Sequence, residues 1–168
     1  MFREILRGRY EHWHGLAPPP TLEEITESLA PAVVRSRQER NRVATRYSVI
    51  RIERTVPPAD LEAWIPIGTR TVTILEVEDP VCPDIESTLD AMGKPEIILE
   101  DQRLSAFYLV SDWVFPQRGI VFSIGKPLPS TKPQARRLLH ARFFASMSLQ
   151  RYLTEVGEAN PALPNTNG

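Results

Sequence analysis

The chain has 168 residues, 42% hydrophobic and 24% charged, which suits a single core and excludes the sparse-apolar, highly charged composition of a disordered chain. No apolar run reaches the ~18–20 residues of a membrane-spanning helix, and Met1-Phe2-Arg3-Glu4 does not begin a signal peptide, so a soluble cytoplasmic protein is expected, with no membrane partner. Lys and Arg outnumber Asp and Glu by ten to seven in residues 1–56, trail by four to twelve in 57–125 and lead by six to two in 126–168, a pattern that predicts basic flanks pairing with an acidic middle and offers nucleic acid no continuous basic face.

Residues 1–20 read as an N-terminal arm: an amphipathic stretch from Phe2 to Tyr10, then Trp13, then the stiff spacer Pro18-Pro19-Pro20. The triple proline holds these apolar side chains away from the first capped helix, so the arm must dock, and docking on a second copy or another protein is preferred to docking back on its own sheet. Residues 21–157 read as one domain. Thr21-Leu22-Glu23-Glu24 has the spacing of a capping box, and Leu22, Ile25, Leu29 and Val33 share a helical face across Pro31, with Arg35 to Arg42 as a solvated last turn.

β-Branched and aromatic residues then mark a strand from Val43 to Val56, whose apolar parity switches between Val49 and Ile50 as at a bulge. Pro57-Pro58 ends it, a loop carries Pro66 and Gly68, and Thr69 to Glu78 alternates as a second strand. Asp84 opens a short helix bearing Ile85, Leu89 and Met92, stopped by Gly93 and Pro95.

Glu96–Glu100, Leu104–Val110, Asp112–Phe115 and Ile120–Ile124 come next as an antiparallel meander, with Phe115-Pro116-Gln117-Arg118-Gly119-Ile120 as its clearest turn. Trp113 is expected on an inward face beside Phe115 and Phe122. Residues 135–146 fit a strand better than a helix, Ser148 caps a last helix closed by Gly157, and 158–168 read as a loose, dispensable tail. This order lacks the alternation of a parallel doubly wound sheet. It predicts an α+β fold, mainly an antiparallel sheet with two to three helices packed on one face.

Chemical signatures are sparse. The sequence holds no phosphate loop, no nucleophile elbow, no paired metal-binding helix motif and a single cysteine, Cys82, which has no second thiol. His12 and His14 flank Trp13 and would point the same way in an extended segment, but two imidazoles are not a metal site, and no metal or cofactor is expected. As binding residues, Trp13, His12, His14 and Trp113 are the candidates. For acid–base chemistry Asp112, Arg118 and His140 stand near predicted sheet ends. Glu76, Glu78, Asp79, Asp84 and Glu86 read as a solvated acidic rim.

Residues 84–124 run helix, Met92-Gly93-Lys94-Pro95-Glu96, strand, Asp112-Trp113-Val114-Phe115, then Arg118-Gly119-Ile120-Val121-Phe122. This stretch resembles the small lipoprotein modules of the β-lactamase-inhibitor-protein-like fold, including the SmpA/OmlA outer-membrane assembly lipoproteins. The resemblance implies a non-enzymatic binder, and the lipidated cysteine of those modules has no counterpart here. The leading expectation is a non-catalytic protein-binding or accessory module, its partner another protein or a second copy. The rival is a small-molecule binder or acid–base enzyme with a cavity between the sheet and the helix Leu22 to Arg40, using Asp112 or His140.

Overall fold

Eight strands form one antiparallel sheet in the order β1-β2-β3-β4-β8-β7-β6-β5. They are β1 (Ala32–Ser36), β2 (Tyr47–Thr55), β3 (Pro58–Pro66), β4 (Ile74–Glu78), β5 (Ile97–Leu104), β6 (Tyr108–Phe115), β7 (Ile120–Pro127) and β8 (Arg137–Phe144). Among the described residues four α-helices accompany them: α1 (Phe2–Ile5), α2 (Leu22–Ser28), α3 (Ile85–Met92) and α4 (Leu149–Glu155). The computed structural model describes residues 2–36, 47–55, 58–104, 108–128 and 135–156, so the tail expected at 158–168 lies outside the described residues.

The order arises from two four-stranded meanders, each preceded by a helix. The first runs outward-in from β1 to β4; α3 then carries the chain from the sheet centre to the far edge, and β5 to β8 return until β8 pairs with β4. One sheet face carries the main core. Ile52, Leu61, Leu75, Phe122 and Phe143 lie there beneath α1, Ile25 of α2 and Leu29 at its C-cap, and Leu89 and Met92 of α3. The opposite face has a smaller cluster, in which Tyr152 and Val156 at the end of α4 cover Ile74, Val114, Val121 and Phe144.

The arm belongs to this chain's own core. Tyr10, Trp13 and Leu16 are buried, Tyr10 meets Phe122 edge-on at 5.2 Å, and Leu16 N–H donates to Phe144 O at 2.9 Å. The expected outward docking is thereby corrected. Phe122 and Phe143 form a broad apolar strip that the short helices leave open, and covering it removes more apolar surface from water than exposing the arm would allow.

The capping box at Thr21 forms both of its bonds, but the helix it starts ends at Ser28 rather than running towards Arg42. The residue before Pro31 is pushed out of the α region, and the chain continues as β1 instead. β2 pairs with β3 in one constant register, so the parity switch at Val49 and Ile50 is not a bulge. Val49 and Ile52 are buried on opposite faces. The span read as a loop after Pro58 is β3, with Leu61, Ala63 and Ile65 turned into the core and prolines confined to its two ends, where no ladder donor is lost.

Of the later elements, the runs expected at Leu104–Val110 and Asp112–Phe115 are not two strands, since Leu104 ends β5 and β6 runs from Tyr108 to Phe115, whereas the helix and turn signals around them hold. Asp84 accepts hydrogen bonds from the Glu86 and Ser87 amides, and Gly93 closes α3 at φ 81°. Pro116–Arg118 forms a 3-10 turn ended by Gly119 at φ 65°, where a Cβ would lie 2.2 Å from Phe144 O. The acidic middle and basic flanks also meet as expected. Arg137 reaches Asp79 at 2.9 Å, Arg51 reaches Asp60 at 2.9 Å, and Arg142 reaches Glu76 at 2.6 Å.

Candidate functional site

Two arrangements gather the chemistry of this chain, one on each face of the sheet. The first is a groove on the face that carries α3. Glu86, Leu89, Asp90 and Gly93 succeed one another at helical spacing along α3 and form one wall; the Lys94–Glu96 connection and the start of β5 form the other. Trp113 and Ile98, directly paired across β6 and β5, lie between them, and the groove has a volume of about 690 Å³.

Its floor is apolar and its rim charged. Ile98 is 43% exposed although it is a large aliphatic residue in a strand, and Leu89 and Trp113 extend the same apolar surface inward. The Trp113 indole N–H donates to Ser111 Oγ at 3.2 Å, two residues back on the same strand, which holds the ring along β6. Glu86 meets Arg136 at 3.8 Å, whereas Asp90, Glu96 and Lys94 are exposed and make no ion pair among the described residues. β5 is the last strand of the sheet and is hydrogen-bonded on one side only among the described residues.

The second arrangement is a polar cluster on the opposite face. Register places Asp112 beside Ser123 and Ser123 beside His140 across β6, β7 and β8. Ser123 Oγ–H donates to Asp112 Oδ1 at 2.5 Å, and Arg142 Nε–H donates to Glu76 Oε2 at 2.6 Å. His140 Nδ1 stands 3.4 Å from Glu76 Oε1, and Arg142 Nη1 stands 3.7 Å from Asp112 Oδ2, too far for a hydrogen bond. Burial works against the Arg142 charge, but the Glu76 and Asp112 carboxylates outweigh it and raise the guanidinium pKa above its ordinary value.

Asp, Ser and His in one row invite comparison with a hydrolase triad, yet the bonding order is wrong for one. A nucleophilic serine gives its proton to the histidine, while Ser123 gives its proton to the carboxylate. Ser123 is also 2% exposed, so no substrate reaches its hydroxyl. The cluster is held by ion pairs and two short hydrogen bonds, but Asp112 Oδ2, Arg142 Nη1 and His140 Nδ1 have no hydrogen-bond partner among the described residues, and the His140 side chain reaches towards solvent.

The candidates named from sequence are thus dispersed. Asp112 and His140 share the polar cluster, where Asp112 is fully buried rather than a surface charge. Arg118 lies elsewhere: its Nη1 donates to Glu11 O at 3.2 Å and pins the arm to the turn after β6. Trp13 is core, not a binding surface; its ring meets Phe143 edge-on at 4.9 Å and its indole N–H donates to Gly119 O at 3.2 Å. His12 and His14 are exposed beside it, and His12 stands 3.8 Å from Glu11. Trp113 alone among the binding candidates lines a groove. Asp112 and His140 lie on the sheet face away from α2, so neither can serve a cavity between the sheet and that helix.

Glu76, Ser123 and Arg142 escaped the sequence reading. Glu76, expected on a solvated rim, is buried beside Arg142 on the face of β4 opposite Leu75 and Val77, and alternation along β4 by itself gives no sign that this face is covered. Arg142 sits within Leu138-Leu139-His140-Ala141-Arg142-Phe143-Phe144, where a lone cation in an apolar strand implies a buried partner. Among the described residues no group of three or more His, Cys, Asp or Glu is arranged to hold a metal ion, and no helix is long and apolar enough to cross a membrane. No family model, curated protein or solved structure matches the chain.

Proposed function

We propose that this chain is a non-catalytic protein-binding module that engages its partner along the groove between α3 and β5. One observation carries the reading: a large aliphatic side chain, Ile98, stands exposed on an edge strand at the floor of an open groove, with Trp113 beside it. Exposed apolar surface rimmed by charge is the usual mark of an interaction site. The ionisable residues of the polar cluster, the alternative place for chemistry, instead bind one another on the opposite face. The stretch that resembles the lipoprotein binding modules, 84–124, also spans α3, β5 and β6, the elements that build the groove.

The test is site-specific crosslinking in cells that produce the chain. A photoreactive side chain replaces Ile98 in one variant and Ile67, 64% exposed in the turn after β3, in another. A discrete adduct from position 98 and none from position 67 is the expected result. Equal labelling from both positions, or none from 98, refutes the groove as the binding surface.

A second reading, a small-molecule acid–base site, is favoured by the placement of His140, whose side chain is 40% exposed with the buried Glu76 carboxylate behind it. It requires a ligand whose binding is lost in His140→Gln and kept in Ile98→Lys.

A further inference from the structure

We infer that the partner enters the groove as an extended strand added to the free edge of β5, and that the face this strand turns towards α3 carries an apolar residue with basic residues two positions away from it. The inference rests on the groove being the binding surface and adds the conformation and charge of the occupant. An edge strand presents alternate N–H and C=O groups outward with nothing to pair them, and a chain lying about 4.8 Å away completes the ladder. The first half of β5 is suited to this. Ile97, Ile98, Leu99 and Glu100 keep one regular register with β6, and the irregularity comes only after Glu100. Among the described residues, no strand, helix or loop pairs with that edge.

Side chains of an added strand alternate between the two faces of the sheet. On the α3 side, the side chain opposite Ile98 falls into the space bounded by Leu89, Ile98 and Trp113 and must be apolar to match it. Its neighbours two residues away on the same face meet the rim, formed by Asp90 on the helix, Glu96 on the connection and Glu100 two residues beyond Ile98 on the same side of β5. None of these three carboxylates has an ion-pair partner among the described residues, and Lys94 is the one cation among the described residues lining the groove. The rim is therefore net acidic and complements Lys or Arg. The same charge argues against a second copy as occupant. Edge-to-edge pairing of two β5 strands brings Glu96 and Glu100 of each copy towards carboxylates of the other, and facing like charges destabilise a strand pair.

The experiment selects from a displayed library of random twelve-residue segments on the intact chain, with Ile98→Lys as counter-target. Enriched segments should carry Lys or Arg two residues from a central apolar residue and lack proline in their centre. A synthetic peptide of the consensus should protect the amides of residues 97–100 from hydrogen exchange. Its affinity should fall at least tenfold in Ile98→Lys and again in Asp90→Lys/Glu96→Lys, while both variants keep the wild-type circular dichroism because all three positions are exposed. Segments that depend on Ile98 but carry no basic residues, or that bind without protecting 97–100, overturn this inference and leave the groove as a binding site. Failure to enrich any segment over the Ile98→Lys background overturns the groove reading itself.

Discussion

Trp13→Ala tests the finding that the N-terminal arm is part of the core. The ring is 4% exposed, stands edge-on to Phe143 at 4.9 Å and donates to Gly119 O at 3.2 Å. Truncating a buried Trp to Ala costs about 3–5 kcal/mol, of which the aromatic edge contact accounts for roughly 0.5–1.5 kcal/mol. Gly119 O keeps its second donor, the Phe144 amide at 2.9 Å, so the substitution leaves no orphaned acceptor to enlarge that figure. Trp13→Phe retains much of the ring and forfeits chiefly the indole hydrogen bond, for about 1 kcal/mol. At about 2–4 °C per kcal/mol for a chain of this length, the Ala variant should melt roughly 6–20 °C lower and the Phe variant a few degrees lower. Urea unfolding gives the free energies if the slope of stability against urea is unchanged. A loss below about 1 kcal/mol for Trp13→Ala refutes the buried arm. A wild-type dimer that the substitution converts to a stable monomer also refutes it, by placing the ring between copies.

Four further outcomes rest on the same network of contacts. Arg142→Met removes the guanidinium from between two buried carboxylates and should cost about 3–5 kcal/mol by chemical denaturation, with part recovered in Arg142→Met/Glu76→Gln; a loss near zero would show the cluster to be hydrated and open. Burial, chiefly, raises the Tyr10 phenol pKa, so its contribution is intact below the ordinary value of about 10 and is lost as pH rises towards the folded value; the stability gap between wild type and Tyr10→Phe should be about 1 kcal/mol at neutral pH, from the bond to Val81 O, and should shrink above about pH 10. The Ser87 hydroxyl, followed by the Ser87 amide, lowers the Asp84 carboxyl pKa, so its capping contribution is present above the ordinary carboxylate range and fades as pH falls through the folded value; Asp84→Ala should lower the melting temperature at neutral pH and make little difference in strong acid. Gly119→Ala places a methyl group against Phe144 O at a positive φ and should destabilise by well over 1 kcal/mol, whereas Gly68→Ala, with open space around it, should not match that loss.

What the sequence determined by itself is local. Thr21, Asp84 and Ser148 start helices because each side chain caps its own first turn, Gly93 and Gly119 stop or turn the chain because a positive φ is open to them, and period-two alternation marks most strands. These signals need no distant partner, and with the absence of regular strand–helix alternation they were enough for an α+β antiparallel sheet. Tertiary structure decided the rest wherever a residue's role depends on what lies opposite it. β3 was hidden because its Leu-Glu-Ala run favours helix and only pairing with β2 and β4 makes it a strand. Trp13 looked like an exposed anchor because nothing local reveals that Phe122 and Phe143, more than a hundred residues later, need a cover. Glu76, Asp112, Ser123, His140 and Arg142 became one cluster only when register aligned four strands, and the groove exists only because α3 carries the chain to the sheet edge and leaves Ile98 beside it uncovered.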